Sequence, residues 1–397
     1  MGNLMLNVMN KLITILKSSF IDLRFLGLVI VFGIGVLLMD TSRAEIAMPS
    51  STVSTPQFTL EKNGRDFIGL SIHPNSDEWL FSECSVILSP EIACYLLKFN
   101  IKTKHLTRYI FPDSYFYSNA HFSPRGNFIV LNRMPKHNGT KEGFEWAVKN
   151  SQIVLINADG SNLRVIPTQQ GRNLMPIMSL DETKIAYWHQ SPLKGERFVG
   201  DWAHNDIYEY DLKTGTDQLF AGPFQFMGGK MIQYISEDEI LLESVAIASI
   251  VQILDEYHKK YNGSQVYKIK RHTDTADFPV PSYTNIEQAR NPSVDTNGNV
   301  YLQGQYPHGG TTFTKVNSSG PVNYWTKPGN LALTGTREIL ASPNGSYIAF
   351  IYVADGTNYR DRKSTFGQLD TLTSQWLSVD IPPLQTSTPV SVKFIVK

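Results

Sequence analysis

The stretch that decides the fold runs from Asn119 to Tyr187 and opens with Asn119-Ala-His-Phe-Ser-Pro-Arg-Gly-Asn-Phe-Ile-Val-Leu-Asn132. After a polar interval it continues with Gln152-Ile-Val-Leu-Ile-Asn-Ala-Asp-Gly-Ser-Asn-Leu-Arg-Val-Ile166. Pro presets φ at the first central position of a turn, and Gly or Asp tolerates the positive φ that follows. The flanking β-branched and aromatic runs are typical of strands. The stretch therefore predicts a four-stranded antiparallel unit, followed by the beginning of a second.

This unit recurs along the chain. Turns of related composition, each followed by an apolar strand, lie about 50 residues apart. They are His73–Ser76, Ser123–Gly126, Ser179–Glu182, Ser236–Glu239, Asp295–Gly298 and Ser342–Gly345. Four strands in such a period are typical of a propeller blade. The sequence therefore predicts an all-β protein, a β-propeller of six four-stranded blades over residues 58–397. Two spare strand candidates, Phe58–Leu60 and Val390–Val396, leave open how the ring closes.

One segment departs from the β pattern. Apolar residues recur at helical spacing within residues 246–261, and Asn262-Gly263 is a typical helix stop. We predict a helix inserted in the fourth blade. It either packs on the propeller rim or serves as a lid or partner-docking helix.

The repeat resembles that of TolB-type β-propellers. The similar segments are Phe122–Val130, Ile153–Ile166 and Ser342–Phe350, and the resemblance covers roughly residues 66–380. It implies a propeller of the kind found in bacterial periplasmic and secreted proteins. The shared residues form turns and core strands, so the resemblance implies no catalytic residue, and function has to be sought in the loops.

Composition excludes some classes of protein. The chain has 397 residues, of which 42% are hydrophobic, so a large core is expected rather than disorder. Lys and Arg together number 36, as do Asp and Glu, and no cluster of basic residues stands out. Because nucleic-acid binding needs a basic surface, the sequence disfavours it.

The amino-terminal region predicts export. Basic residues precede an uncharged apolar run at residues 25–39, and Ser42-Arg43-Ala44 offers small residues for signal-peptide cleavage. We interpret residues 1–44 as a signal peptide or an N-terminal membrane anchor, and residues 45–57 as a linker. Cleavage gives a periplasmic or extracellular protein. Without cleavage, residues 25–39 tether the propeller to a membrane, outside the cytoplasm.

The two cysteines fit an oxidising compartment. Cys84 and Cys94 flank a loop between two predicted strands, where a hairpin would bring them together. We predict a disulfide that fastens the loop. The alternative is two ordinary buried thiols.

Long connections are expected on one face of the disc. If the strands of a blade are named A to D from the axis outwards, the A–B and C–D turns are short and share one face. The B–C loops are long and lie on the other face, where binding residues usually sit. We predict partner contacts from the loops at residues 134–151 and 191–205, through Trp146, Arg197, Trp202 and His204. Packing of these aromatics onto neighbouring loops is the structural alternative.

Polar residues on the innermost strands are expected near the mouth of the central channel. They are Asn119, His121, Asn173, Lys230, Arg290, Asn291, Arg337 and Glu338. Arg290 and Arg337 are our candidates for binding an anionic or peptide carboxylate group. Alternatively, these groups satisfy loop carbonyls and one another.

Reaction signatures are missing. The sequence has no Gly-x-Ser-x-Gly elbow, no zinc-type histidine pair and no glycine-rich phosphate loop, so we predict no metal and no cofactor. A catalytic site gathered from several blades would draw first on His121, Asp201, His204 and His308.

Three hypotheses follow. The leading one is an exported propeller that binds a protein or peptide partner on its long-loop face. The first alternative is an enzyme, a lyase or hydrolase acting on polysaccharide or peptide at the channel mouth. The second is a membrane-tethered envelope assembly factor.

Overall fold

The computed structural model describes residues 66–84, 94–137, 140–190, 205–224, 226–246, 265–273, 281–283, 286–305, 311–317, 319–328, 335–353 and 364–394. These residues form six sheets. The first strand of each sheet contacts the first strand of the next, all the way around a ring. The prediction of an all-β, six-bladed propeller is confirmed.

The blades follow one another in chain order. Blade 1 contains β1 (Asp66–Ile72), β2 (Glu78–Cys84), β3 (Cys94–Asn100) and β4 (Leu106–Ile110). Blade 2 contains β5 (Tyr115–Phe122), β6 (Phe128–Pro135), β7 (Gln152–Asn157) and β8 (Arg164–Ile166). Blade 3 contains β9 (Arg172–Met178), β10 (Lys184–Gln190), β11 (Asn205–Asp211) and β12 (Asp217–Phe224).

The second half of the ring repeats this plan. Blade 4 contains β13 (Phe226–Ser236), β14 (Glu239–Ala246) and β15 (Gln265–Lys270) among the described residues. Blade 5 contains β16 (Glu287–Val294), β17 (Val300–Gln305), β18 (Thr311–Asn317) and β19 (Gly320–Thr326). Blade 6 contains β20 (Gly335–Ala341), β21 (Tyr347–Val353), β22 (Ser364–Asp370) and β23 (Trp376–Val379). In blade 4, the Ser282 N–H donates to the Val266 carbonyl at 2.8 Å, so the chain continues beside β15.

The serine that opens several A–B turns explains why the repeat is recognisable. Ser123, Ser179 and Ser342 are buried, and each hydroxyl accepts a hydrogen bond from the backbone N–H five residues later. The donors are Phe128, Lys184 and Tyr347, at 2.9–3.0 Å. Because the side chain satisfies a backbone donor that begins strand B, the turn is determined locally.

The core lies between blades rather than inside one. Among the described residues there are six apolar clusters, and each joins residues of two neighbouring blades. For example, Phe67 and Phe81 of blade 1 pack on Phe366 of blade 6, with ring centroids 4.9 and 4.7 Å apart. Each buried side chain of this size contributes roughly 1.5–3 kcal/mol, so the apolar interfaces stabilise the ring.

The carboxy-terminal strand closes the ring at the outer edge of blade 1. Blades 1 and 6 each have their own four strands. The carboxy-terminal strand β24 (Thr388–Ser391) adds to the outer edge of blade 1, in parallel with β4. Of the two candidate closing strands, the carboxy-terminal one therefore starts earlier than predicted and pairs with β4, whereas residues 58–60 lie outside the described part.

Helical structure differs from the expectation. The loop predicted at residues 134–151 contains the helix α1 (Lys141–Lys149), in which the Gly143 N–H donates to the Thr140 hydroxyl at 3.0 Å. This N-cap, with acidic Glu142 in the first turn and basic Lys149 in the last, favours a helix. The strand β14 runs through Ala246. The rest of the helix predicted at 246–261 lies outside the described residues. A short 3₁₀ turn spans Leu384–Thr386.

Two further features concern the predicted compartment. Cys84 and Cys94 form a disulfide across directly paired positions of β2 and β3. The apolar run at residues 25–39, the signal or anchor at 1–44 and the linker at 45–57 lie outside the described residues. Among the residues that are described, none of the helices has the length and apolar character needed to cross a bilayer.

Candidate functional site

The described B–C connection of blade 2 lies on the face opposite the Ser-Pro-x-Gly turns. We call that face the long-loop face, made of the B–C and D–A connections. The described element that rises from it is α1, in the B–C connection of blade 2. Its Ala147 and Val148 are buried, and the helix contacts β6 and β9. The helix is therefore anchored on one side and open on the other.

Aromatic side chains cover the open side. Trp146 is 55% exposed and Phe144 37% exposed. The His137 ring lies 5.5 Å from that of Phe144 and 6.1 Å from that of Phe116, between centroids. We call Phe116, His137, Phe144 and Trp146 the α1 aromatic surface. Exposed aromatics with few rotatable bonds are typical anchors of protein interfaces.

A half-buried polar network lies among the strands next to this surface. The Arg133 guanidinium donates to Gln152 Oε1 at 2.7 Å and to Asp113 Oδ2 at 3.0 Å. Its carbon Cζ lies 4.4 Å from the centroid of Tyr115. The Tyr117 hydroxyl donates to the same Asp113 carboxylate at 2.9 Å. Burial, reinforced by Asp113, raises the pKa of Tyr117, so it remains a hydrogen-bond donor. The network joins β5, β6 and β7 into a stiff base.

Three titratable groups meet in the central channel. His121 lies on β5, Lys230 on β13 and Glu338 on β20, so they come from blades 2, 4 and 6. Lys230 Nζ lies 3.4 Å from Glu338 Oε1. The Glu338 carboxylate also accepts from the backbone N–H groups of Gly69 and Leu70, at 3.1 and 2.5 Å. The Lys230–Glu338 pair therefore links blades 4 and 6 across the channel. The Glu338 carboxylate also caps a bulge in β1 of blade 1.

The electrostatics keep His121 neutral. Burial lowers the pKa of His121 to about 4, with the Lys230 charge acting in the same direction and the Glu338 charge opposing it. A base with this pKa is far from the operating range that general base catalysis favours near neutral pH. The geometry of the trio is better explained as a polar network that joins blades across the channel.

Other predicted channel residues have structural roles or lie outside the described side chains. Asn173 is buried, its amide donates to Gln169 O at 2.7 Å, and its Oδ1 lies 2.8 Å from His189 Nδ1. Arg290 is half-buried on β16. Arg337 lies on β20, and its side chain is outside the described set.

One of the predicted loop residues lies in the described part of the chain. Trp146 lies on α1, as above. Arg197, Asp201, Trp202, His204 and His308 lie outside the described residues. Sequence reasoning missed α1 itself, although Thr140 and Glu142 were available as helix-start signals. It placed His121, Lys230 and Glu338 at the channel mouth but did not identify the pairing of Lys230 with Glu338, which no local pattern encodes.

A buried carboxylate forms an ion pair on the opposite face. Glu209 on β11 is fully buried, and Arg271 binds it with two hydrogen bonds of 2.8 and 2.9 Å. Burial acts to raise the pKa of Glu209, but hydrogen bonds from Arg271 and Tyr234 hold it below its usual value. The pair joins blades 3 and 4. Within the described part of the chain, no cluster of three or more His, Cys, Asp or Glu side chains is arranged to hold a metal ion.

Comparison with known proteins gives similarity of fold. No protein-family model matches the sequence, and no curated protein matches it. Similar solved structures include TolB from Acinetobacter baumannii, at 13% identity and a TM-score of 0.45, covering 76% of this chain and 63% of TolB. A puromycin-hydrolyzing peptidase of Mycobacterium tuberculosis is 10% identical with a TM-score of 0.48, covering 80% of this chain and 53% of the peptidase. Oligogalacturonate lyase from Vibrio parahaemolyticus is 10% identical with a TM-score of 0.46, covering 79% of this chain and 78% of the lyase.

The likeness is to a fold. At these identities it assigns no activity, and the chain spans less than two thirds of the TolB and peptidase chains. Function must therefore be argued from this protein's own side chains.

Proposed function

We propose that the protein is an exported propeller that binds a protein or peptide partner through the α1 aromatic surface on its long-loop face. The observation that supports this proposal is the position of Trp146, which is 55% exposed on a helix whose other side is buried. An isolated aromatic that only packed its own loop would be covered by it. This one faces solvent.

The base beneath the helix supports the same proposal. The Arg133–Asp113–Gln152 network fixes the strands that flank α1. A surface that is already ordered loses little conformational entropy when a partner binds. The apolar anchors suit a protein or peptide that offers a complementary apolar contact. The charged residues Glu145 and Lys149 of α1 flank these anchors.

The test is partner capture in cells. The full-length protein, its Trp146→Ala variant and a Leu372→Ala control are cross-linked in cells, and the captured proteins are identified by mass spectrometry. Leu372 is an exposed apolar residue in a C–D turn on the opposite face, so it matches Trp146 in exposure but not in position.

We expect one envelope protein to be captured by the unmodified chain and by Leu372→Ala. With Trp146→Ala we expect a loss of at least about tenfold, the typical effect of a central aromatic anchor. Equal capture by all three chains would contradict the α1 aromatic surface as the binding site. The mass of the recovered chain also shows whether it starts at Glu45 or retains the amino-terminal segment.

A further inference from the structure

The carboxy-terminal segment makes an unusual contact on the rim. After β24, the Val392 N–H donates to the Ile110 carbonyl at 2.8 Å, which completes the edge of blade 1. The Leu163 N–H of blade 2 then donates to the Lys393 carbonyl at 2.7 Å, and Leu163 pairs with Phe394 in a parallel bridge. We call residues 388–394 the strap. It extends the sheet of blade 1 and is also bonded to blade 2.

Two valines anchor the strap. Val392 is 3% exposed and lies in the apolar cluster between blades 1 and 2. Val390 sits over Gly160, where an added Cβ would lie 2.8 Å from Val390 Cγ1. A larger residue at 160 would therefore collide with Val390. The surface accepts an extended segment with apolar residues at alternate positions, as side chains alternate along a strand.

The surface under the strap is complete without it. Blades 1 and 2 draw all eight of their strands, β1 to β8, from residues 66–166. The Tyr109 hydroxyl donates to the Ala158 carbonyl at 2.7 Å, which joins the two blades beneath Val390. The edge of β4 is therefore a pre-formed acceptor for an added strand, the arrangement used when sheets bind extended peptides.

Most side chains of the strap are exposed. Thr388, Pro389 and Ser391 are exposed, and so is Phe394. Pro389 has no backbone N–H to donate. The segment before the strap contains Pro382 and Pro383, which cannot donate hydrogen bonds and stiffen the connection to β23. Outside Val390 and Val392 the strap buries little side-chain surface, and low burial favours local opening.

We propose that the β4 edge, with Gly160 and Leu163, is a strand-acceptor site that receives the carboxy-terminal strap of a second copy of this chain. The strap is the segment whose valine spacing is known to fit, so the occupant in trans is the same segment from another molecule. Exchange of an identical element between protomers gives a dimer at small free-energy cost. This rim site is separate from the α1 aromatic surface and does not depend on the proposed partner binding.

Single-cysteine copies test the proposal in the full chain. Ile110 and Ser391 are paired positions of β4 and β24, and both are exposed. An Ile110→Cys copy is mixed with a Ser391→Cys copy under conditions that leave the native Cys84–Cys94 disulfide intact. The control mixture pairs Ile110→Cys with Leu372→Cys, an exposed position away from the strap.

We expect a covalent heterodimer in the first mixture, at least tenfold above the control mixture, rising with protein concentration. Equal yields in the two mixtures, with both proteins folded, would overturn the proposal.

A peptide measurement approaches the same site from the other side. A labelled peptide with the sequence of residues 386–397 is titrated against the chain truncated before residue 386 and against the full chain. We expect binding to the truncated chain to be at least tenfold tighter, because the strap in cis competes at high effective concentration. A peptide carrying Val392→Asp should bind at least tenfold more weakly. Equal binding of the two peptides would contradict the role of the buried Val392 in seating the strap. The cysteine mixtures decide the question if the truncated chain does not fold.

Discussion

At the scale of single residues, His121 in the central channel shows most clearly how the surroundings determine the properties of a side chain. His121 is held neutral by burial and by Lys230, while the Glu338 carboxylate contacts Lys230 and accepts hydrogen bonds from two backbone N–H groups. Protonating His121 therefore costs free energy in the folded state but not in the unfolded chain.

The sign of the resulting pH dependence follows from linkage. The folded-state pKa of His121 is about 4, below the ordinary value of 6.5, so the unfolded chain binds this proton more tightly. Above pH 6.5 the group has no effect on stability. As pH falls from 6.5 to 4 it destabilises the folded state, by up to about 3 kcal/mol.

We expect His121→Gln to lose less unfolding free energy than the unmodified chain between pH 7 and 4.5, measured by urea unfolding. His105→Gln, at an exposed turn position of blade 1, is the matched control and should behave like the unmodified chain. The flattening is partial because burial also lowers the pKa of His189. Identical pH profiles for the His121→Gln variant and the unmodified chain would show that the channel does not control this proton.

At the scale of elements, the A–B turns explain both the repeat and the contacts between blades. Gly126 closes its turn with φ +78°, and a Cβ there would lie 2.1 Å from His73 Nε2 of the preceding blade. Glycine is thus required twice, by the backbone angle and by the approach of a neighbouring turn. Gly298 occupies a similar turn with φ +77° and has nothing within 4 Å of an added Cβ.

Comparing Gly126 with Gly298 separates the cost of the positive φ from the cost of the clash with His73. Gly298→Ala should cost about 1–2 kcal/mol of unfolding free energy, the penalty for a left-handed alanine. Gly126→Ala should cost distinctly more, since the clash with His73 adds to the same angle penalty. In the double variant Gly126→Ala/His73→Ala the excess should shrink, as measured by urea unfolding. If the two single variants cost the same, His73 moves aside freely and the inter-blade contact carries no energy.

At the scale of the whole molecule, the seam between blades 1 and 6 is where the chain ends must be joined. The seam is held by side chains of both blades, and the chain crosses it between β23 of blade 6 and β24 on the edge of blade 1. The Trp79 indole donates to the Tyr347 hydroxyl at 2.9 Å, and that hydroxyl donates to the Ser76 carbonyl at 2.6 Å. Tyr347 is buried, and burial raises the pKa of its hydroxyl.

Removing that hydroxyl leaves a buried donor and a buried acceptor unpaired. We expect Tyr347→Phe to lower the unfolding free energy by about 1–3 kcal/mol. Tyr95→Phe, at an exposed tyrosine of blade 1, should change it by less than about 0.5 kcal/mol. Chemical denaturation of both variants provides the measurement, and hydrogen exchange of β1 and β20 should quicken only in the first. Equal effects of the two substitutions would mean that the seam is held without this bond.

The sequence by itself determined the repeat. Ser123, Pro124 and Gly126 act within one turn, and the apolar runs that follow are buried for reasons local to each strand, so six blades and their turns could be predicted. Trp146 was predicted as a contact residue, but the helix that presents it was missed because its N-cap is a short signal within a polar segment.

Only the tertiary structure decided the rest. Lys230 and Glu338 are distant in the sequence, and whether their side chains meet depends on the number and tilt of the blades between them. The position of the strap is a second example. The spacing of the valines at 390 and 392 indicates a strand, but it does not indicate which sheet edge that strand joins. Local turn chemistry acts over a few residues, whereas these contacts exist only once the ring has closed.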